Sequence, residues 1–361
     1  MKSRTGIILL VVLALIGAGA AAIFWFRADI ATRIVQRAAT QALSGSLTDD
    51  LPDGLHAVFC GTGSPFPDRS RAGPCFAAIA GGHVFVFDAG EGAAETLSLM
   101  GVSPGSVERV FLTHLHSDHF DGLAPMALQH WVNASAQSPL VVSGPEGTAR
   151  VVAGLNEAYT IDSTYRIAHH GERVVPPSGF GLAATEFVFP AGQADLIVYD
   201  ADGVRITAFP VNHAPINNAV GYRIDYAGRS IVVSGDTARA DSVERAAQGV
   251  DLLVHDVLSM QLNTIMGEAA NANGRQNIGA VIHDVRSYHA SPEDAGAVAQ
   301  AAGVGALAMT HLVPPTPVPG LDAVFVRAAR STFNGPVWAM RDGDVVSLPR
   351  DGGMIRSHRL R

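Results

Sequence analysis

Lysine is almost missing from this chain of 361 residues, since Lys2 is the only one. All other basic side chains are arginines, and the acidic residues outnumber them, so that the formal net charge at pH 7 is −8. A protein that neutralises many phosphates normally carries clustered positive charge. The composition therefore argues against a nucleic-acid partner, but it does not exclude a small anionic substrate.

Cysteine is equally scarce, with Cys60 and Cys75 alone in the sequence. The two residues lie too far from the histidine-rich segment described below to predict a thiolate zinc site. They flank a predicted hairpin, and in an oxidising compartment a disulfide between them would stabilise the fold by roughly 3 kcal/mol. Two small buried apolar side chains are the alternative, and the sequence leaves both open.

Charge is absent from residues 5–26, which follow Lys2 and Arg4 and precede Arg27. An apolar run of this length is sufficient to span a bilayer as a helix. We expect residues 1–27 to form a membrane-spanning signal-anchor helix, with the catalytic domain on the periplasmic or extracytoplasmic side. Signal cleavage after the small residues 18–20, which would give a secreted protein, is the alternative.

The rest of the chain is predicted to hold one linker and one domain. Helical composition in residues 28–43 is followed by glycine, serine, aspartate and proline, which indicates a linker over 28–54. From residue 55 to 361, short apolar strands alternate with helices, which favours two sheets packed face to face with helices outside. Residues 125–180 are a predicted insert that carries Trp131, Tyr159 and Tyr165. One helix start is well marked, because Ser291 precedes Pro292 and two acidic residues.

Four side chains that can bind a metal fall within the six residues 114–119, directly after an apolar run. Strand side chains alternate between faces, so His114 and His116 should point the same way. Asp118 and His119 would then be directed at a second position. Imidazole nitrogen and carboxylate oxygen are the ligands that zinc takes when thiolate is absent. The segment therefore predicts parts of two adjacent metal sites.

Together with residues 59–65 and 87–92, this segment resembles the metallo-β-lactamase superfamily. The branch that it most resembles includes ribonuclease Z and related phosphodiesterases and arylsulfatases. The resemblance covers roughly residues 55–350 and implies an α+β fold, a four-layer αββα sandwich. It is more specific for the fold than for the substrate, because one metal site serves many chemistries.

The resemblance also implies a set of metal ligands. One zinc ion would be bound by His114, His116 and His213, the other by Asp118, His119 and His311, and Asp236 would bridge the two. His213, Asp236 and His311 each follow a predicted strand. Two Zn²⁺ ions, with manganese or iron as alternatives, would hold a hydroxide as the nucleophile. Asp118 is also a candidate catalytic proton acceptor.

Two further residues match catalytic positions of the family. The resemblance implies that His289 lies beside the metals and protonates the leaving group, whereas the alternative is a helix-start histidine with no role. Asp256 stands where the ribonuclease Z pattern usually has glutamate, and it would orient and charge His289; a purely structural role is the alternative. Asp88 is expected to orient a ligating histidine, and His255 is treated as structural.

The substrate is predicted from charge. In ribonuclease Z a basic, glycine-rich arm grips transfer RNA, and no such arm is found here. Between residues 125 and 205 there are four basic and eight acidic side chains, a balance that would repel a polyanion. We therefore expect a zinc-dependent hydrolase of small esters, of the phosphodiester or aryl sulfate type, and a homodimer is left open. The alternatives are a ribonuclease Z-type endonuclease that processes the 3′ end of transfer RNA, and a non-enzymatic metal-stabilised binding module.

Overall fold

The computed structural model describes residues 2–43 and 45–359; for residues 2–5 and 41–43 only the backbone is described. The chain divides into two compact units, Met1–Ser46 and Leu47–Arg361. The first unit holds one continuous helix, α1 (Lys2–Leu43), which extends through residues 28–43 of the predicted linker. By length and composition, its stretch Gly6–Thr40 could cross a membrane.

The second unit starts somewhat before the predicted boundary at residue 55. Its helices are α2 (Leu47–Asp50), α3 (Ala93–Leu99), α4 (Leu123–Ala134), α5 (Thr148–His170), α6 (Asp241–Ala246), α7 (Met260–Ala272), α8 (Gln276–Asp284), α9 (Pro292–Ala302) and α10 (Ala323–Ala329). Its strands are β1 (Gly54–Gly61), β2 (Cys75–Ala80), β3 (His83–Phe87), β4 (Val107–Phe111), β5 (Leu140–Pro145), β6 (Leu182–Phe187), β7 (Leu196–Ala201), β8 (Val204–Pro210), β9 (Val220–Tyr226), β10 (Arg229–Val233), β11 (Leu252–Leu258), β12 (Leu307–Val313), β13 (Val337–Ala339), β14 (Asp344–Pro349) and β15 (Ile355–His358).

These strands form two sheets. The first sheet has the order β15-β14-β1-β2-β3-β4-β5-β6, and the second has the order β13-β12-β11-β10-β9-β8-β7. Strands β3 to β6 pair in parallel within the first sheet. Strands β10 to β13 pair in parallel within the second sheet. The predicted α+β fold with two sheets is therefore confirmed.

Alternation along the strands explains why the sheets pack face to face. In β2, Phe76 and Ala78 join the apolar cluster between the two sheets, whereas Ala77 and Ile79 face the outer side of the first sheet. Successive strand residues point to opposite faces. Because both faces of β2 are apolar, this strand is buried on both sides.

Helices cover both outer faces. Leu97 of α3 and Met126 of α4 pack against the outer side of the first sheet. Val298 of α9 and Phe325 of α10 pack against the outer side of the second sheet. The second unit thus has the four layers helix, sheet, sheet, helix.

The segment predicted as an insert, residues 125–180, supplies most of α4, strand β5 and helix α5. Strand β5 pairs with β4 and β6, so this segment extends the first sheet. Trp131 is fully buried, and its Nε1 donates to the carbonyl of Pro176 at 2.7 Å. Trp131 and Tyr159 line one small apolar pocket, whereas Tyr165 is 63% exposed.

Two local predictions are decided by hydrogen bonds and covalent geometry. Ser291 caps α9 in a capping box with Asp294, which confirms the predicted start, and the helix ends at Gly303 in the left-handed region. Cys60 in β1 and Cys75 in β2 are joined by a disulfide. Of the two alternatives for the cysteines, the structure therefore shows the cross-link.

Candidate active site

The functional side chains lie where strands end on one edge of the two sheets. Strands β3 and β4 run parallel, and Asp88 and residue 114 follow their carboxyl ends. Asp236 follows β10, while Asp256 and His311 lie within the parallel strands β11 and β12. Loops and strand ends above a rigid sheet are the usual positions for reactive groups.

Three histidines form a first group. The ligand-type atoms of His114, His116 and His213 all lie within 4.8 Å of one another. Nδ1 of His116 is 2.9 Å from Nε2 of His114 and 3.3 Å from Nε2 of His213. His114 and His213 are buried, whereas His116 is more accessible to solvent.

A second group lies beside the first. Oδ2 of Asp118 is 3.6 Å from Nε2 of His119 and 3.5 Å from Nε2 of His311. Oδ2 of Asp236 is 3.2 Å from Nε2 of His119, 3.3 Å from Nε2 of His311 and 4.0 Å from Nε2 of His114. Asp236 therefore contacts both groups, and all the predicted ligand side chains come together in one place.

Unpaired atoms show that this donor set fits divalent metal ions. Among the residues described, Asp118 Oδ2, His119 Nε2 and His311 Nε2 are buried without a hydrogen-bond partner. A buried polar atom without a partner costs about 1–3 kcal/mol. These atoms are of the types that coordinate zinc, so a cation held among them would remove that cost.

The charges of Asp236 and His114 suit the same interpretation. Burial raises the pKa of Asp236, but His311 and His119 outweigh it and hold that pKa well below its ordinary value. Burial and the neighbouring His119 lower the pKa of His114 well below its ordinary value. Asp236 is thus a carboxylate and His114 a neutral imidazole, the states in which these side chains bind metals.

Hydrogen bonds fix the orientation of the rings. Oδ2 of Asp88 accepts from Nδ1 of His119 at 2.8 Å and from Oγ1 of Thr113 at 2.8 Å. Oγ1 of Thr113 lies 3.0 Å from Nδ1 of His114. Asp88 therefore orients one histidine directly, as expected, and supports a second through Thr113, which leaves Nε2 of both rings facing the cluster.

His289 and Asp256 form a pair at the edge of the cluster. Nδ1 of His289 is 2.8 Å from Oδ2 of Asp256, so the aspartate reaches the ring although it is shorter than glutamate. The His289 ring centroid is 5.3 Å from that of His311 and 5.5 Å from that of His213. Burial raises the pKa of Asp256, but hydrogen bonds with His255 and His289 outweigh it and leave that pKa below its ordinary value.

Comparison with known proteins agrees with this geometry. Residues 83–312 match the β-lactamase superfamily domain. The chain is 37% identical over 285 residues to ribonuclease Z of Mycobacterium bovis (strain BCG), covering 78% of this chain and 94% of that protein. The chain belongs to the metallo-β-lactamase superfamily, on its ribonuclease Z branch.

Solved structures show the same fold at lower identity. The metallo-β-lactamase fold protein YhfI of Bacillus subtilis matches with a TM-score of 0.57 at 19% identity, covering 81% of this chain and 98% of that chain. The short form of human tRNase Z matches with a TM-score of 0.56 at 21% identity, covering 81% and 99%. As a member of this superfamily the chain is a metal-dependent hydrolase, and the alternative of a non-enzymatic binding module is set aside.

Membership of the ribonuclease Z branch corrects two predictions. The expected small-ester substrate, phosphodiester or aryl sulfate, and the expectation that nucleic acid is no partner are wrong, because relatives at this identity are ribonucleases by name. The count of acids over residues 125–205 overstated the repulsion because it ignored partners elsewhere in the chain. Asp195 pairs with Arg245, which lies outside that segment.

Two contacts in the site were not predicted from the sequence. Nδ1 of His255 lies 2.8 Å from the carbonyl oxygen of Asp256 and 3.1 Å from its Oδ1, although adjacent strand side chains normally point to opposite faces. The pairing of β11 with β12 shifts register after Asp256, which breaks the alternation there. The carbonyl of Tyr288 accepts from Nδ1 of His213 at 3.0 Å. A backbone acceptor leaves no signal in the residue type, so this contact could not be found from sequence.

Proposed function

We propose that this protein is a ribonuclease Z-type phosphodiesterase that cleaves RNA, with the 3′ end of precursor transfer RNA as the substrate. One observation carries the proposal: the seven ligand-type side chains and the His289–Asp256 pair share one sheet edge in a chain 37% identical to ribonuclease Z. Human tRNase Z, which has the same fold, agrees with this substrate class.

We propose zinc as the metal, with manganese or iron as alternatives. One ion would be held by His114, His116 and His213, and the other by Asp118, His119 and His311, with Asp236 between them. When bound, such a pair of cations supplies Lewis acidity and an activated water. Imidazole and carboxylate ligands without thiolate are consistent with zinc.

The side chains around the metals would position the RNA and move protons. Asp256 accepts from Nδ1 of His289, so the ring has its Nε2 available for the substrate. His289 is then placed to give a proton to the leaving oxygen of the scissile phosphodiester, because the contact of its Nδ1 with Asp256 orients the ring. The carbonyl of Tyr288 and the carboxylate of Asp88 hold His213 and His119 in place.

The test of this function uses the full-length protein, purified in detergent with zinc. It is assayed on a precursor transfer RNA with a 3′ trailer and on the same RNA without the trailer. We expect one cut at the trailer junction, abolished by a chelator and by His114→Ala. If the precursor stays intact at enzyme concentrations equal to the RNA, the proposed function is wrong.

We also propose that helix α1 is a membrane anchor and that the domain lies on the oxidising, extracytoplasmic side. The apolar stretch in α1 is long enough to cross a bilayer, and a disulfide such as Cys60–Cys75 persists in oxidising compartments. A domain on that side would meet only RNA that reaches the same compartment, so the location and the substrate need separate tests.

The location is tested by protease treatment of intact cells, which should digest the domain while α1 stays in the membrane fraction. Protection of the domain would place it inside the cell. Recovery of the domain in the medium would indicate signal cleavage.

A further inference from the structure

The aromatic ring of Tyr288 lies beside the proposed proton donor. Its centroid is 5.0 Å from that of His289 and 5.0 Å from that of His213. The side chain is only partly buried, so part of the ring is open to solvent. Only the backbone carbonyl of Tyr288 orients His213, which means that the ring itself is not needed for that contact.

Phe66 shares an apolar cluster with Tyr288. Both side chains are partly buried and pack against the buried residues Leu258, Val285 and Val313. Leu258 ends strand β11, which carries Asp256, and Val313 ends strand β12, which carries His311. The cluster therefore lies at the same sheet edge as the metal-binding side chains, and both aromatic side chains pack on it. Tyr288 is the one that contacts His289 and His213.

Partly exposed aromatic rings beside a phosphodiester-cleaving site suit one kind of ligand. Proteins that recognise single-stranded RNA stack unpaired bases on aromatic side chains. The phenol of a tyrosine is neutral at physiological pH and adds no negative charge next to a phosphate.

We infer that Phe66 and Tyr288 form a stacking subsite for an unpaired base of the RNA adjacent to the scissile phosphate. This inference rests on the proposed ribonuclease function and deepens it, because it names side chains that bind the substrate base. Stacking on an aromatic side chain requires no positive charge, so the subsite needs no basic arm to hold the base.

The experiment combines protein variants with a modified substrate. Full-length wild type, Tyr288→Ala and Phe66→Ala are assayed on precursor transfer RNA with normal nucleotides or with an abasic nucleotide on either side of the scissile phosphate. Removing the stacked base should lower kcat/KM of the wild type roughly 5- to 150-fold. Tyr288→Ala should lose a similar factor on normal RNA and lose little more on the abasic RNA, whereas Tyr288→Phe should stay near wild type.

A matched control comes from Tyr165, which is 63% exposed on helix α5; Tyr165→Ala should leave kcat/KM unchanged. Zinc content and thermal unfolding are measured for every variant, and Tyr288→Leu, which keeps apolar volume without an aromatic face, replaces Tyr288→Ala if that variant unfolds. The inference is overturned if the alanine or leucine variant has the same kcat/KM as the wild type. It is also overturned if the abasic nucleotide lowers kcat/KM of the variant by the same factor as it lowers that of the wild type. If the wild type cleaves no RNA, the proposed function itself is wrong, and the wild-type assay shows this before any variant is made.

Discussion

His311 and Asp88 both have positive backbone φ angles, 47° and 58°. Residues other than glycine in the left-handed region cost of the order of 1–3 kcal/mol, and they persist only where the surroundings determine the conformation. In each case the side chain serves the metal cluster: His311 points its Nε2 at Asp118 and Asp236, and Asp88 accepts from His119. Two of the five non-glycine residues with positive φ in the described part of the chain therefore belong to the site.

The pair His289–Asp256 gives a prediction at the scale of single residues. His289→Ala should lower kcat roughly 10²- to 10⁴-fold on precursor RNA, because the leaving oxygen loses its proton donor. Metal analysis should still find about two zinc ions per chain. A variant that loses its zinc instead would make His289 a ligand rather than a proton donor.

Asp256 supplies the matched comparison. Asp256→Asn keeps the shape but removes the negative charge that accepts from Nδ1 of His289, so kcat on precursor RNA should fall while the zinc content stays unchanged. Asp256→Glu should restore part of the activity, since glutamate can also accept from Nδ1. Wild-type kcat in Asp256→Asn would show that the carboxylate does not act through His289.

Strands β1 and β2 are tied together by more than their hydrogen bonds. The disulfide Cys60–Cys75 joins them where the register shifts between Phe59 and Gly61. Both strands lead into the loops around the metal cluster, and Gly61 and Cys75 line the pocket that also contains Asp236 and His311. At the scale of elements, the cross-link therefore holds one side of the active site.

The double variant Cys60→Ala and Cys75→Ala tests this cross-link. Closing a loop of 15 residues should stabilise the fold by roughly 3 kcal/mol, and the variant should lose about that much unfolding free energy in denaturant titrations. The control is the wild type in reducing agent, which should show a similar loss. Equal midpoints for oxidised wild type and variant would contradict the prediction.

His56 connects β1 to β14 and should make stability depend on pH. Its Nδ1 is 2.8 Å from Ser347 Oγ and its Nε2 is 2.8 Å from the carbonyl of Pro52. Burial lowers the pKa of His56 below its ordinary value despite the contact with Pro52. His56 in the unfolded chain thus takes up a proton at a higher pH than His56 in the folded protein. The contribution of His56 to the free energy of unfolding is therefore fully present above about pH 6.5 and decreases below it.

The measurement compares unfolding free energy from pH 7 to pH 5.5 in wild type and His56→Gln, both loaded with zinc. Protonation of the metal ligands contributes equally to both proteins and cancels in the comparison. The wild type should lose stability more steeply as the pH falls. Parallel curves would mean that His56 takes up its proton equally in the folded and unfolded states.

At the scale of the whole molecule, the candidate metal centre joins the two sheets. Residues 114–119 follow strand β4 of the first sheet, whereas His213, Asp236 and His311 belong to the second. A bound cation would therefore connect the sheets at one edge, in addition to the apolar cluster between them. Ligands that bind only the folded state stabilise it by mass action.

Removal of metal should consequently lower thermal stability. With free zinc at roughly 100 times its Kd, the melting temperature should exceed that of the chelated protein by about 5 °C or more. Asp236→Ala removes the side chain common to both groups, and its melting temperature should respond little to zinc. A wild type that melts at one temperature with and without zinc would contradict a metal site at this place.

The amino-acid sequence by itself determined the features that depend on neighbours in the chain. The ligands within residues 114–119, the cap of α9 at Ser291 and the apolar length of α1 all follow from short-range spacing and residue type. The alternation of short apolar strands with helices was predicted for the same reason. In contrast, β14 pairs with β1 across almost the whole second unit, and no local pattern encodes such a partner.

Only the tertiary structure decided which distant side chains meet and which charges remain unpaired. Asp236 reaches both histidine groups, and Nδ1 of His289 reaches Oδ2 of Asp256, because packed sheets bring their strand ends to one edge. The acidic count misled the substrate prediction for the same reason, since ion pairs such as Asp195 with Arg245 form between residues far apart in sequence. Residue type sets the chemistry of a group, but distance sets the energy of its interactions, and distances between remote residues are fixed only by the fold.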